Sequence, residues 1–350
     1  MKYLFYVAKY YSIPIVKPMV EYLDREKKDK YAFLVSKKVS DTLKADYIWQ
    51  DKTIYTEIKK AAVFQPDVCI SPGNYIDFRL PGIKAQIFHG IGIEKESHYK
   101  IRHFFDVYFT SGPVVTGRFN ELAGRYGYFL VRETGWPKMD HILNFPSKNI
   151  RDMYGLPENQ KIVLYSPTFS GSMHSGEDLL HFIPRIIKDN EIWIIKFHEF
   201  MNKNLTESLK NQSDKIRIIE TYDITPYLHI ADVMISDTSS VLYEFMALDK
   251  PVITYKTVSR KDKGINILSP SELRPALDRA LEKPDEQTKQ RQRHLSEVNP
   301  YLDGKTSQRI FDELRKIKNN NELPKRKKPL NLYRKIRILY HEKFKKGYLK

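Results

Sequence analysis

Ala231-Asp-Val-Met-Ile-Ser-Asp-Thr-Ser-Ser-Val-Leu-Tyr-Glu-Phe-Met-Ala-Leu-Asp-Lys-Pro-Val-Ile-Thr-Tyr255 reads as strand, turn, helix and strand in one line. Val233 to Ser236 is a short apolar run, and Asp237-Thr-Ser-Ser240 is a polar turn. A helix is expected over about Ser239 to Leu248, a proline break at Pro251, and a second apolar strand from Val252 to Tyr255. Two apolar strands joined by a helix form the repeating unit of a parallel sheet. The turn places small hydroxyls and free N–H groups where a helix begins after the carboxyl end of a strand. First-turn N–H groups lack partners and the helix dipole is positive there, so the turn suits a phosphate. Serine and threonine are equally ordinary helix caps, so the turn alone leaves capping and anion binding both open.

The same alternation runs through the chain and predicts an α/β fold with parallel sheets. The candidate strands of the first half are Tyr3–Val7, Ala32–Val35, Val68–Ser71, Ala85–Phe88 and Val107–Thr110, with helices such as Ile58–Phe64 and Val114–Tyr126 between them. A polar, proline-containing stretch covers roughly Asn144 to Gln160. The alternation then restarts with Ile162–Ser166, Trp193–Phe197, Ile216–Ile219, Val233–Ser236 and Val252–Tyr255. We therefore expect a first domain over residues 1–145, a second over 160–315, and a separate tail over 324–350. Two doubly wound sheets of this kind bind ligands in the crevice at the carboxyl ends of their strands. Polar clusters follow apolar strands at His89-Gly90, Ser166-Pro-Thr168, His198-Glu199 and Asp237–Ser240, where a rigid sheet positions a loop for function.

A chain of 350 residues, 41% hydrophobic and 13% aromatic, is long enough for two ordinary cores. No stretch approaches the roughly 18 unbroken apolar residues of a membrane span. The opening Met1-Lys-Tyr-Leu-Phe-Tyr-Val-Ala8 reads as a first strand, and a cytoplasmic setting is expected. Cys69 is the single cysteine and lies in the apolar run Val68-Cys-Ile70, which predicts a buried, inert thiol. The formal net charge is +16, but from Pro324 to Lys350 eleven Lys and Arg stand against one acid, Glu342. With the basic charge concentrated at one end, and with no RRM, KH or helix-turn-helix pattern, a nucleic-acid partner is not expected.

Several of these segments resemble, in order, motifs of the CDP-glycerol glycerophosphotransferase family, enzymes of teichoic acid and capsular polymer synthesis. Phe88-His-Gly-Ile-Gly-Ile-Glu-Lys95 resembles the family's His-Gly-Thr-Pro-Leu-Lys loop, and Asp106-Val-Tyr-Phe-Thr-Ser111 is similar to its Asp-Tyr-Tyr-Ile-Ser strand. Gly135-Trp-Pro-Lys-Met-Asp140 is similar to Gly-Tyr-Pro-Arg-Asn-Asp, and Leu164-Tyr-Ser-Pro-Thr168 and Ile195-Lys-Phe-His198 follow. Asp237-Thr-Ser-Ser240 resembles Asp-Tyr-Ser-Ser and leads into Asp249-Lys-Pro-Val-Ile-Thr-Tyr255. Asp303-Gly-Lys-Thr-Ser-Gln-Arg309 is similar to Asp-Gly-Lys-Ala-Ser-Glu-Arg. The resemblance covers roughly residues 85–312, with Thr238 in place of a tyrosine and Ile91-Gly92 in place of Thr-Pro.

This resemblance implies a GT-B-like fold of two Rossmann-type domains facing a cleft, with the nucleotide donor bound mainly to the second. It implies transfer of a polyol phosphate from a CDP-activated donor to a hydroxyl of a lipid-linked or polymeric acceptor, with release of CMP. His89 is the expected base, with Gly90 and Gly92 letting the acceptor-side loop approach a substrate closely. His198, with Glu199 beside it, is the second catalytic candidate, on the donor phosphates or the departing CMP. Ser239 and Ser240 are expected to hold the diphosphate, beside Thr238, while Asp237 is expected to be structural, since a carboxylate repels phosphate. Pro167 and Thr168 form a turn near cytidine or phosphate. Glu244 either reaches a ribose hydroxyl or lies on a solvated helix face. Lys305 and Arg309 either bring positive charge to the cleft or form surface ion pairs.

No metal or other cofactor is expected, because the histidines lie on separate strand-end motifs without ligand spacing. His98 and His103 read as ordinary residues. In the tail, Lys325, Arg326, Lys327 and Lys328 precede a helix in which Tyr333, Ile336, Tyr340 and Phe344 recur at spacings of three and four among cations such as Arg334. A basic amphipathic helix with aromatic residues suits an anionic membrane surface, though such a stripe can also pack back on the first domain or stay disordered. Two rivals stand beside the transferase: a GT-B glycosyltransferase using a UDP- or CMP-sugar, and a non-catalytic scaffold of polymer synthesis.

Overall fold

The computed structural model describes residues 1–45, 49–168, 175–197, 209, 212–257 and 259–344, with the backbone alone at 45 and 341–344. The chain divides into two compact units, one formed by Met1–His141 with Val298–Lys350, the other by Ile142–Glu297.

In the first unit the strands are β1 (Lys2–Val7), β2 (Lys30–Val35), β3 (Ile54–Tyr55), β4 (Val68–Ser71), β5 (Ile83–Gln86), β6 (Val107–Thr110) and β7 (Leu130–Glu133). They pair in the order β3-β2-β1-β4-β5-β6-β7, and every pairing is parallel. β1 is central, with Phe5 opposite Phe33 on one side and Ile70 on the other. Buried on both faces, such a strand reads as a continuous apolar run rather than an alternation, as Tyr3-Leu-Phe-Tyr-Val7 does. The order reverses between β1 and β4, so the loops after these two strands diverge and leave a crevice. Helix Pro113–Tyr126 starts on a proline whose missing N–H costs nothing there, and ends at Gly127 with φ 71°.

The second unit repeats this plan. Its strands are β8 (Lys161–Tyr165), β9 (Glu191–Lys196), β10 (Ile216–Ile219), β11 (Val233–Ser236), β12 (Val252–Tyr255) and β13 (Ile265–Ile267). The order is β10-β9-β8-β11-β12-β13, again parallel throughout, with the reversal between β8 and β11. Trp193, Tyr165, Ile235, Ile253 and Leu277 are at the heart of its core. Both units are therefore doubly wound parallel sheets, as the alternation predicted, and of the Rossmann type that the family resemblance implied.

Three strands were missed in the sequence: β3, β7 and β13. All lie at sheet edges, and β7, Leu130-Val-Arg-Glu133, is half-buried along its length and carries two charges. Edge strands need neither unbroken hydrophobicity nor length, so they lack the signal of the central ones. The helix expected over Ser239 to Leu248 is shorter, Val241–Met246.

The second domain was expected to run to residue 315, but residues 298–350 join the first unit. The reason is helix Thr306–Asn319, whose Ile310, Phe311, Leu314 and Ile317 form one apolar stripe. Phe311 packs at 4.8 Å from the Tyr3 ring and 5.5 Å from the Tyr22 ring, and Arg315 binds the Asp29 carboxylate at 2.7 Å. The tail also returns to this unit. Lys328 pairs with Asp106 at 2.6 Å and donates to the Phe104 carbonyl, and Ile338 of helix Leu332–Phe344 is buried in the core. Lys328 thus anchors the tail instead of serving as a free membrane cation. No helix among the described residues is long and apolar enough to cross a membrane.

Candidate active site

In the first unit the crevice is lined by the segments after β1, β4 and β5. Beyond Gln86 the chain continues in register for one residue, Ile87 N–H donating to the Ser71 carbonyl at 3.0 Å. Phe88 then turns sharply, with φ of 57°. Its ring enters the core, 5.1 Å from Phe119 and stacked at 4.6 Å on His98. His89 points the other way and is exposed. Its ring lies 5.5 Å from that of Tyr11, from the segment after β1, and faces the carbonyl of Pro72, the residue after β4. The surrounding protein lowers the His89 pKa below its usual value, Arg102 and Lys95 push the same way, and the Pro72 carbonyl opposes them. A neutral imidazole whose N–H is turned toward a carbonyl presents the lone pair of its other nitrogen.

Gly90 and Gly92 sit in this loop as expected, but neither has a positive φ. A methyl group on Gly92 would come within 3.1 Å of the His98 ring, so this glycine makes room for a neighbouring side chain rather than only for a substrate. His98 is held neutral, burial pushing its pKa down to about 3.

In the second unit the crevice lies between β8 and β11, and the two predicted loops meet there. The Asp237 carboxylate, 1% exposed, accepts from Thr168 N–H at 3.0 Å, Ser175 N–H at 2.9 Å and Ser175 Oγ at 3.1 Å. Ser236 Oγ donates to the Ser166 carbonyl at 2.5 Å. Asp237 is therefore a staple between the loops, as its charge suggested, and burial raises its pKa against the pull of these hydrogen bonds. Pro167, Thr168 and Thr238 are buried, and Thr168 contributes its backbone to the staple. Ser239 and Ser240 remain half-exposed, and the Ser240 side chain makes no capping bond to the helix it precedes. Ser239 Oγ reaches Val241 N–H only at 3.4 Å, a weak cap. Glu244 is 4% exposed, which corrects the solvated-face expectation: every residue of helix Val241–Met246 is buried. His198 and Glu199 lie outside the described residues.

Lys305 and Arg309 belong to the first unit, not to the donor unit as expected. Lys305 precedes helix Thr306–Asn319, and Arg309 pairs with Asp303 while lying 4.7 Å over the Tyr301 ring, the surface ion pair left open by the sequence. The motif around them has a different task. Asp140, buried, accepts Thr306 N–H at 2.9 Å and Ser307 N–H at 2.6 Å, so Gly135–Asp140 caps that helix from elsewhere in the chain. Gly135 has φ 92°, and a methyl group there would meet Tyr301 Cβ at 2.8 Å. Asp249-Lys-Pro is likewise structural. Lys250 Nζ donates to the carbonyls of Leu228, His229 and Ala231 at the end of helix Thr225–Ile230, and Asp249 binds the buried Arg291. Tyr11 and Pro72 were not singled out in the sequence. Both lie in the first 80 residues, and their only signal is position, directly after strands flanking the reversal.

Two parallel sheets, each with polar loops at its point of reversal, define a class of α/β proteins that bind nucleotides beyond the carboxyl ends of their strands. The family described as CDP-Glycerol:Poly(glycerophosphate) glycerophosphotransferase matches residues 105–316, and the chain belongs to that family. It is similar to the teichoic acid glycerol-phosphate primase of Bacillus subtilis (strain 168), 32% identical over 128 residues, which are 35% of this chain and 32% of that protein. It is also similar to the primase of the same description from Bacillus spizizenii (strain ATCC 23059 / NRRL B-14472 / W23), 28% identical over 176 residues, 47% of this chain and 45% of that protein. The matched stretch thus spans less than half the length of these curated relatives. The fold is that of the solved wall teichoic acid polymerase TagF, with a TM-score of 0.65 at 18% identity, covering 92% of this chain and 90% of that one.

Proposed function

We propose that the chain transfers glycerol phosphate, or a related polyol phosphate, from a CDP-activated donor to a hydroxyl of a lipid-linked or polymeric glycan acceptor, releasing CMP. Family membership supports the reaction class, and the observation that carries it is His89: an imidazole kept neutral at a Rossmann crevice, beside the Tyr11 ring and facing a backbone carbonyl. The free nitrogen takes the proton of the acceptor hydroxyl. That oxygen attacks the phosphorus bearing the polyol, a new P–O bond forms, and the bond from this phosphorus to the bridging oxygen of the CMP moiety breaks. CMP leaves with the electron pair and is protonated by a donor-side acid, the role proposed for His198, or by solvent. The hydroxyls of Ser239 and Ser240, left outside the Asp237 staple, are assigned to the donor diphosphate.

The enzyme would work at the inner face of the cell membrane, where nucleotide-activated donor and lipid-linked acceptor meet. Helix Leu332–Phe344 supports this: with Ile338 buried, Tyr333, Ile336 and Tyr340 are 77%, 64% and 53% exposed, beside exposed Lys325, Arg326 and Lys327. An apolar and aromatic face ringed by cations complements an anionic bilayer. The Phe344 side chain lies outside the described residues.

CMP release measured with CDP-glycerol, CDP-ribitol, UDP-sugars and CMP-sugars tests the reaction. Turnover with a CDP-polyol alone is expected, and turnover with a sugar nucleotide alone would overturn the proposal in favour of a glycosyltransferase. His89→Ala should lower kcat by about 100-fold or more with the fold intact. The reaction as written uses no resident metal, so dialysis against a chelator should leave CMP release at the untreated rate.

A further inference from the structure

The turn at Phe88 calls for a cause. A bulky residue at φ 57° is uncommon and persists only where its surroundings hold it. Two contacts do so. The Phe88 ring is buried against Phe119 and His98. Its carbonyl accepts the indole Nε1–H of Trp136 at 3.2 Å, a hydrogen bond buried at both ends. Trp136 is itself fixed: it is 2% exposed, and its backbone N–H donates to Asn299 Oδ1 at 3.0 Å, with Asn299 wholly buried. Asn299 lies on the segment that returns to this unit from the far end of the chain. A chain of contacts therefore runs from Asn299 through Trp136 to the peptide group joining Phe88 and His89.

We infer that Trp136 is a positioning residue for His89: its indole N–H holds the Phe88 carbonyl, fixes the left-handed turn, and aims the imidazole at the Pro72 carbonyl so that one tautomer is selected. The inference rests on the proposed role of His89 as base. Without the indole donor, a buried carbonyl is left unpaired, and such a group rotates toward another partner or admits water. Rotation of that peptide moves the backbone nitrogen of His89 directly. The ring then loses its line to Pro72, and the tautomer with its lone pair free for the acceptor hydroxyl is no longer singled out.

Trp136→Phe keeps an aromatic ring in the site and removes the donor. Two readouts are taken on the full chain. Nitrogen NMR of the imidazoles, with the His89 signal assigned by its loss in His89→Ala, reports the tautomer without reference to activity. Kinetics of CMP release report kcat and KM. We expect one neutral tautomer at His89 in the parent protein, a mixture or the opposite tautomer in Trp136→Phe, and a fall in kcat of about 100-fold with KM for the donor within about twofold. An unchanged tautomer overturns the inference whatever happens to kcat. A changed tautomer with parental kcat overturns it if His89→Ala is inactive. If His89→Ala also retains parental kcat, the assignment of His89 as base falls, while the control of its imidazole by Trp136 stands. Should Trp136→Phe fail to fold, benzothienylalanine at 136, which replaces the N–H by sulfur in the same bicyclic shape, carries the same test.

Discussion

A histidine acts as a base only in its neutral form, and the surroundings of His89 favour that form. Although the ring reaches solvent, desolvation by the protein packed around it is the largest influence, Arg102 and Lys95 add repulsion toward a further positive charge, and the Pro72 carbonyl partly offsets them. The sign follows directly. With the folded pKa below the ordinary 6.5, the working base persists as pH falls through neutrality and is lost only below that value. We predict that kcat/KM for CMP release is level from about pH 7 to 8 and declines on the acid side with a midpoint under 6.5. A midpoint above 6.5 would remove His89 from the role. His98, pushed down to about 3, stays neutral throughout and adds no limb of its own. The sequence marked His89 because it follows an apolar strand. It did not mark Pro72 or Tyr11, because what brings them to His89 is the pairing of β1, β4 and β5, not proximity along the chain. Asp237 was legible by charge alone: a carboxylate repels a diphosphate, and the structure finds it satisfied by backbone N–H groups instead.

At the scale of elements, conserving a motif's shape and carrying chemistry prove to be separate tasks. Asp303–Arg309 looked like a source of cations, yet Arg309 is occupied by Asp303 and the Tyr301 ring. The segment matters because helix Thr306–Asn319 starts there with two N–H groups received by Asp140. A cap supplied from another segment has no signature at its own helix, where Lys305 stands in the capping position with no side-chain cap bond. We predict that Asp140→Ala destabilises the protein by about 1–2 kcal/mol. Urea unfolding would show it as a lower midpoint with little change in slope, and an unchanged midpoint would mean that solvent replaces the carboxylate freely. Central strands were read to within a residue or two, whereas β3, β7 and β13 were not, because an edge strand is only half enclosed and its composition is correspondingly unconstrained.

For the whole molecule, the sequence divided the chain into halves in order, while the structure returns the last segment to the first unit. The tail illustrates the consequence. Its helix shows Ile338 to the core and turns Tyr333, Ile336 and Tyr340 outward, so its aromatic stripe is presented by a seated element. Replacing all three by serine leaves Ile338 and the Lys328–Asp106 pair in place. We expect this variant to keep its thermal midpoint but to lose flotation with vesicles containing about one-third anionic lipid, each basic residue alone contributing only about 1 kcal/mol. Equal flotation of parent and variant would count against membrane docking by this face.

What the amino-acid order determined by itself was everything set over short distances: two runs of parallel strands, the polar turns at their ends, an imidazole at one and hydroxyls at another, and a cationic terminus. Such features arise from propensity and from burial on both faces of a sheet, which a few neighbouring residues suffice to encode. Only the tertiary structure decided that the Pro72 carbonyl faces the His89 ring, that Trp136 grips the turn before it, that Asp140 caps a helix far along the chain, and that residues 298–350 belong with the beginning. These are pairings between groups that must be buried and cannot be left without partners, and the partner is chosen by whatever the packed chain brings within reach.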